Sequence, residues 1–225
     1  TNANVQNYVQ TIVMPLFLKK NDLGATIALW QITEPEAWFL AGLELTVSET
    51  EQLAGIKGRK RLEWLAVRYL THELSGMAAR SPILKDNSGK PYLAHDGLHL
   101  SISHSGEMAA AMLAPLPAGI DIQRPVEKIE RIAHKFLRPE EDASLSTTHR
   151  LLHLHVYWGA KEALYKAYGR RELDFRAHIA IAPFHFDPEG GSFSGKVEKE
   201  GFFAEYDLHY EVVEGYVLVY GVEQA

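Results

Sequence analysis

The chain has no cysteine. Disulfides and thiolate metal centres are therefore excluded, and a reducing, cytoplasmic setting is expected rather than that of a small secreted scaffold. It lacks any surplus of the residues that keep chains disordered, with 17 glycines and 10 prolines among 225 residues. It also lacks a long apolar run. The longest near the start, "TIVMPLFL" (Thr11 to Leu18), is too short to span a bilayer, contains Pro15 and follows no basic segment. That run is expected to form a buried strand, and no membrane partner is expected. Positive charge is scarce overall, with a formal net charge of −6. A non-specific polyanion binder is thereby excluded and no nucleic-acid partner is expected, so any phosphate contact must come from a local cluster of bases. One such cluster is "KGRKR", Lys57 to Arg61. The histidines at 149, 153 and 155 lack the spacing of a zinc site and are left unassigned.

What is present is an ordinary globular composition, 46% hydrophobic and 23% charged, in a chain long enough for one large domain or two small ones. "TIALWQI" (Thr26 to Ile32) reads as a strand. "SETE" (Ser48 to Glu51) has the capping-box pattern and predicts a helix start. "RKRLEWLAVRYLTHELSG" predicts a longer helix, with Leu62, Leu65, Tyr69 and His72 on one stripe, ending at Gly76. "KPYL" and "LHLSISHSGEMAAAMLA" predict strands with a turn at Ser105-Gly106. After "PLPAG" the order recurs: a strand "GIDI", a helix start at "RPEED", a longer helix around Trp158 and a β-rich tail. The tail's "YDLHYEVVEGYVLVYGV" resembles the earlier hairpin in layout. The expected fold is α+β, with two similar subdomains in tandem, residues 1–114 and 115–225, and a ligand cleft between them.

Four stretches bear on chemistry. In "AGIDIQR", strand alternation points Asp121 and Gln123 the same way. An aspartate between two isoleucines needs compensation, such as a metal ion or a cap. In "WGAKEALYKAYG" (Trp158 to Gly169), Trp158, Glu162 and Lys166 share a helical stripe. On those residues alone, a solvated i,i+4 ion pair worth about 0.3–0.5 kcal/mol is sufficient. Two carboxylates on separate elements, one with a lysine a turn away, also suit Mg²⁺ and a phosphate. Ser103 and His104, at the end of "SISHSG", can donate to a phosphate. The "KGRKR" charges sit unfavourably at a helix start, which favours a partner anion.

Together, "KPYL", "LSISHSG", "GIDIQR" and "WGAKEALYK", in this order and spacing, resemble the 4′-phosphopantetheinyl transferase superfamily, in particular its longer monomeric members typified by surfactin-synthetase-activating enzymes. The similarity runs from "GRKRLEWLAVRYL" to "YKAYG"; the tail after Leu173 carries no family motif. The resemblance implies two subdomains related by a pseudo-two-fold, with coenzyme A in the cleft. It implies Mg²⁺-dependent transfer of the 4′-phosphopantetheine arm to a serine of an apo carrier protein, releasing 3′,5′-ADP. By the same resemblance, Asp121 and Glu162 are metal-binding carboxylates and Lys166 contacts the diphosphate. Lys90, Ser103 and His104 fall on phosphate-contacting positions, and Arg61, Arg68 and Lys57 on basic positions near the 3′-phosphate. Glu162 is the expected base, directly or through a metal-bound water. Gln123 departs from the pattern, standing where many members have an acid; its amide oxygen is expected to ligate Mg²⁺ without adding charge. An Mg²⁺-dependent phosphohydrolase and a non-catalytic module binding coenzyme A or a carrier are the alternatives.

Overall fold

A computed structural model of the chain describes residues 16–94 and 97–225. Most of the run expected as a first buried strand, residues 11–15, lies outside the described residues; its end opens strand β1 (Leu16–Asp22). β1 turns through Leu23 and Gly24, both at positive φ, into β2 (Ala25–Gln31). That is the backbone twist a two-residue hairpin requires. Three helices follow, α1 (Glu36–Gly42), α2 (Val47–Ala54) and α3 (Lys60–Ser75). The capping box that starts α2 is Thr46 with Glu49, not the expected Ser48 with Glu51. The shift has a cause: Glu49 is buried, and its carboxylate is bound by Arg68 and Arg80 as well as by the Thr46 N–H. α3 stops, as expected, at Gly76 in the left-handed region.

A small hairpin, β3 (Ile83–Lys85) with β4 (Pro91–Leu93), leads to β5 (His99–Ser105) and β6 (Met108–Ala114). These close an antiparallel sheet in the order β1-β2-β6-β5. Next come β7 (Ala118–Gln123), α4 (Ile129–Phe136), α5 (Pro139–Ala143), α6 (Arg150–Tyr168), β8 (Ile179–Ile181), β9 (Gly191–Lys199), β10 (Phe202–Val213) and β11 (Tyr216–Glu223). Helix α4 was not among the expected elements. The second sheet is antiparallel, ordered β7-β11-β10-β9-β8. A strand, three helices and a hairpin whose return strand pairs back onto the first strand thus occur twice, as β2-β6-β5 and as β7-β11-β10.

Each sheet has its own apolar core. One gathers Trp30, Phe39, Leu65, Leu70 and Leu100 around α3; the other gathers Tyr157, Leu164, Tyr206, Leu208 and Tyr210 around α6. A third cluster, including Ile27, Leu29, Met112, Ile120, Ile122 and Leu218, joins the two sheets. Among the described residues, no helix is long and apolar enough to cross a membrane.

Two local devices position the chemistry. At the seam, β5 and β7 are stitched by side chains: the hydroxyls of Ser101, Ser103 and Ser105 accept the N–H groups of Ile120, Ile122 and Arg124 at 3.0, 3.3 and 3.0 Å. A row of edge N–H groups that would otherwise cost free energy when buried is thereby satisfied. α6 also lies against β7 so closely that a Cβ on Gly119 would sit 1.8 Å from the Ala163 carbonyl oxygen. Only glycine allows that approach.

Candidate active site

The seam brings Asp121, Ser103 and Lys166 into direct contact. Asp121 is almost fully buried on β7. Its Oδ1 accepts from Lys166 Nζ at 2.7 Å and from Ser103 Oγ at 2.9 Å, and its Oδ2 accepts from the Gln123 side-chain N–H. Lys166 Nζ also donates to the Ile120 carbonyl at 2.8 Å and to Ser103 Oγ at 3.1 Å. The compensation that an aspartate in a strand requires is therefore a set of donors from three elements. Lys166 forms its ion pair with Asp121, across the seam from α6 to β7, rather than with Glu162 one turn before it.

Glu162 is half-buried and takes no part in that hydrogen-bond set. Burial pushes its carboxyl up from the ordinary range, the charge of Asp121 pushes it further, and Lys166 offsets part of the rise. An ionised Glu162 beside Asp121 is thus under-compensated, and a cation would relieve it. Among the described residues no three His, Cys, Asp or Glu side chains are grouped to hold a metal. Mg²⁺ does not need three, since it commonly takes one or two carboxylates and fills its octahedron with water and substrate oxygens. The all-oxygen pair of Asp121 and Glu162 fits that ion.

Lys166 also lines a cavity of about 340 Å³ between α3, the β3–β4 hairpin, β5 and the end of α6. Its lining carries six basic side chains, Arg68, Lys85, Lys90, Lys166, Arg170 and Arg171, and no carboxylate. Two of these bases tie the helix end to the hairpin loop. Lys90 Nζ donates to the Ala167 carbonyl at 2.7 Å, and Arg171 Nε donates to the Ser88 carbonyl at 3.0 Å. Burial lowers the Lys90 pKa, with Asp86 and Glu223 acting against it. Arg68 is buried, paired with Glu49 at 3.1 Å and stacked 3.2 Å from the Trp64 ring; burial brings its pKa down to about 10.

Three expected phosphate positions belong neither to this lining nor to the Asp121 cluster. Lys57 is exposed in the turn before α3. The anion that the "KGRKR" run called for is, at Arg61, the protein's own Glu36; Arg61 binds it through two nitrogens and also donates to the Leu53 and Ile56 carbonyls. His104 is half exposed, with Nδ1 3.2 Å from Glu63 of α3, because strand alternation turns it away from Ser103.

Several residues here escaped the sequence reading. Lys161, adjacent to Glu162, is fully buried: it pairs with buried Glu141 at 2.8 Å and donates to the Phe175 and Ile179 carbonyls at 3.0 Å each. Arg170 and Arg171, directly after the helix-ending Gly169, carried a legible signal, since cations are favoured beyond a helix C-terminus. His155, set aside with the other histidines, bonds Gln123: its Nδ1 lies 2.9 Å from Gln123 Oε1. Its Nε2 lies 2.9 Å from the Val126 N and 3.2 Å from the Val126 O. Burial lowers its pKa against opposing pulls from Val126 and Asp121.

The family model described as the 4′-phosphopantetheinyl transferase superfamily matches residues 117–220, which takes in "GIDIQR", α6 and the β-rich tail. The match therefore covers the stretch after Leu173 that carried no recognisable motif, and stops short of "KPYL" and "SISHSG". A 4′-phosphopantetheinyl transferase of Bacillus subtilis is 33% identical over 86 residues, 36% of this chain and 38% of the relative. The 4′-phosphopantetheinyl transferase gsp of Aneurinibacillus migulanus is 31% identical over 111 residues, 48% of this chain and 46% of the relative. The aligned chain thus spans less than half the length of each of these curated relatives. With Asp121, Glu162 and Lys166 all inside the matched region, the chain resembles the 4′-phosphopantetheinyl transferase superfamily where its two carboxylates and its lysine converge.

Proposed function

We propose that this protein transfers the 4′-phosphopantetheine arm of coenzyme A to a serine hydroxyl of an apo carrier protein, with Mg²⁺, releasing 3′,5′-ADP. The observation that carries the reading is the juxtaposition of the base-lined, carboxylate-free cavity with the Asp121–Lys166–Ser103 cluster at its edge. Coenzyme A is polyanionic at its nucleotide end and neutral along its arm. A cavity that neutralises phosphates, opening onto two carboxylates, suits that molecule and its point of cleavage. In this reading residues 1–114 and 115–225 are tandem α+β subdomains related by a pseudo-two-fold, which the recurrence of β2-β6-β5 as β7-β11-β10 supports. The protein acts as a cytoplasmic monomer.

A serine hydroxyl is almost wholly protonated at neutral pH and needs a base. Glu162, carried by α6 within electrostatic reach of Asp121, serves as that base; a positioned base contributes about 10²–10⁴ in rate. Asp121 and Glu162 hold the metal, and Mg²⁺ bound there supplies charge neutralisation at the diphosphate. Lys166 turns its ammonium from Asp121 to the phosphate oxygens, and Ser103 of β5 and Lys90 of the β3–β4 hairpin loop hold the diphosphate. Arg68, Lys85, Arg170 and Arg171 provide the positive field for the remaining phosphates.

The test is to incubate the protein with apo carrier, coenzyme A and Mg²⁺ and to weigh the carrier. Gain of one phosphopantetheine arm is expected, and Glu162→Gln should abolish it without lowering the melting temperature. Release of inorganic phosphate without carrier modification would make the protein a phosphohydrolase instead. Coenzyme A binding without either change would leave only a binding module.

A further inference from the structure

We propose that Gln123 is not a metal ligand but a hydrogen-bond donor that holds Asp121 in position, and that His155 is the positioning residue that sets its amide the right way round. The inference rests on the reading that Asp121 and Glu162 bind the divalent ion, and it changes what the third position of that site does.

One donor in this network has a fixed identity. The backbone N–H of Val126 always carries its hydrogen, and it points at His155 Nε2 from 2.9 Å. The Val126 carbonyl oxygen lies near the same nitrogen, at 3.2 Å. A proton on Nε2 would face the Val126 N–H head-on, so Nε2 accepts and its lone pair is used. In a neutral imidazole the proton then resides on Nδ1. Nδ1–H can only donate, and 2.9 Å away it meets the Gln123 side-chain oxygen. The amide oxygen is engaged by the histidine, and the amide nitrogen is turned the other way, onto Asp121 Oδ2. Each link fixes the next, from a backbone N–H in the loop after β7, through α6, back to β7.

The same wiring explains why an amide suits this position better than an acid. A carboxylate at 123 would set acceptors against Asp121 on one side, repelling it. An amide satisfies an acceptor on one side and a donor on the other, and holds Asp121 Oδ2 while Ser103 and Lys166 hold Oδ1. Outer partners of this kind orient metal-binding groups and, when removed, weaken metal binding by roughly 10–100-fold.

Two measurements test the proposal. Long-range ¹H–¹⁵N correlation spectra of the folded protein, with and without Mg²⁺, should show His155 as the Nδ1–H tautomer in both. Mn²⁺ titrated alone and with coenzyme A, followed by the loss of its free-ion paramagnetic resonance signal, should bind His155→Phe about 10-fold more weakly than the wild type. His155→Gln, which offers one donor and one acceptor as the imidazole does, should recover most of the loss. An Nε2–H tautomer overturns the proposal. So does undiminished or tighter Mn²⁺ binding by a folded His155→Phe, the result expected if losing the histidine frees an amide oxygen to ligate the ion. A wild type that shows the expected tautomer and Mn²⁺ pattern but never modifies a carrier refutes the transferase reading and leaves the His155–Gln123–Asp121 relay supported.

Discussion

Replacing Lys161 should destabilise the fold behind the active site rather than disable chemistry. Lys161 and Glu141 are both wholly buried and 2.8 Å apart. The pair is fully bonded: the ammonium reaches the Phe175 and Ile179 carbonyls, while the carboxylate accepts the backbone N–H groups of Arg138 and Ile181. Truncating one member of such a pair leaves a buried charge without its counterpart and typically costs about 3–5 kcal/mol. Lys161→Met also strands two carbonyls. In a chain of this size each 1 kcal/mol lowers the melting temperature by about 2–4 °C, so a drop of roughly 6–20 °C is expected. Urea denaturation of Lys161→Met, Glu141→Leu and the double variant gives the coupling directly, and the double variant should lose much less than the sum of the singles. Transfer by Lys161→Met, measured well below its melting point, should remain within about tenfold of wild type, since one factor of ten corresponds to about 1.4 kcal/mol of transition-state stabilisation. Unchanged stability with abolished transfer would refute the reasoning and make Lys161 a catalytic residue.

Ser101→Ala removes the side-chain acceptor of the buried Ile120 N–H, and urea denaturation should show a loss of roughly 1–3 kcal/mol with an unchanged slope. Gly119→Ala forces a Cβ into the backbone of α6; it should cost about 1–3 kcal/mol or more and abolish transfer even where the protein remains folded. Because the Glu162 pKa is raised in the folded protein, the native state holds that proton to higher pH than the unfolded chain does. Stability is then lost as pH rises from the ordinary glutamate value through the raised one, and differential scanning fluorimetry should show Glu162→Gln gaining on the wild type across that window. Mg²⁺ should offset the same loss, so its stabilising effect should be small at acid pH and grow as Glu162 ionises.

Local rules of the chain were legible where a single principle decides the outcome. Gly76 and Gly169 end α3 and α6 because the left-handed position after a helix is cheapest for glycine, and strand alternation separates Ser103 from His104. Where two local options competed, tertiary contacts chose. Thr46 and Ser48 both begin capping boxes, and Thr46 won because it leaves Glu49 facing Arg68 and Arg80. The i,i+4 spacing of Glu162 and Lys166 was equally genuine, yet Asp121 on another strand outcompeted Glu162 for the lysine. Arg61 looked like a phosphate ligand because Glu36, 25 residues away, is invisible to any helix-surface rule. Lys161 was unreadable for the opposite reason: a lysine beside a glutamate on a helix looks solvated until a distant carboxylate is found buried against it.

Gly119 does more than admit a helix. The serine stitches between β5 and β7 repeat every two residues, so β7 displaced by two positions would still find hydroxyls for most of its N–H groups, with Gln123 or Gly119 where Asp121 belongs. Such a slip would bring Pro117 or Asp121 under the Ala163 carbonyl, where no Cβ has room. The hydroxyls measure out the strand in equal steps, and the missing side chain selects one step among them, which makes Gly119 the index mark that aligns one half of the protein with the other.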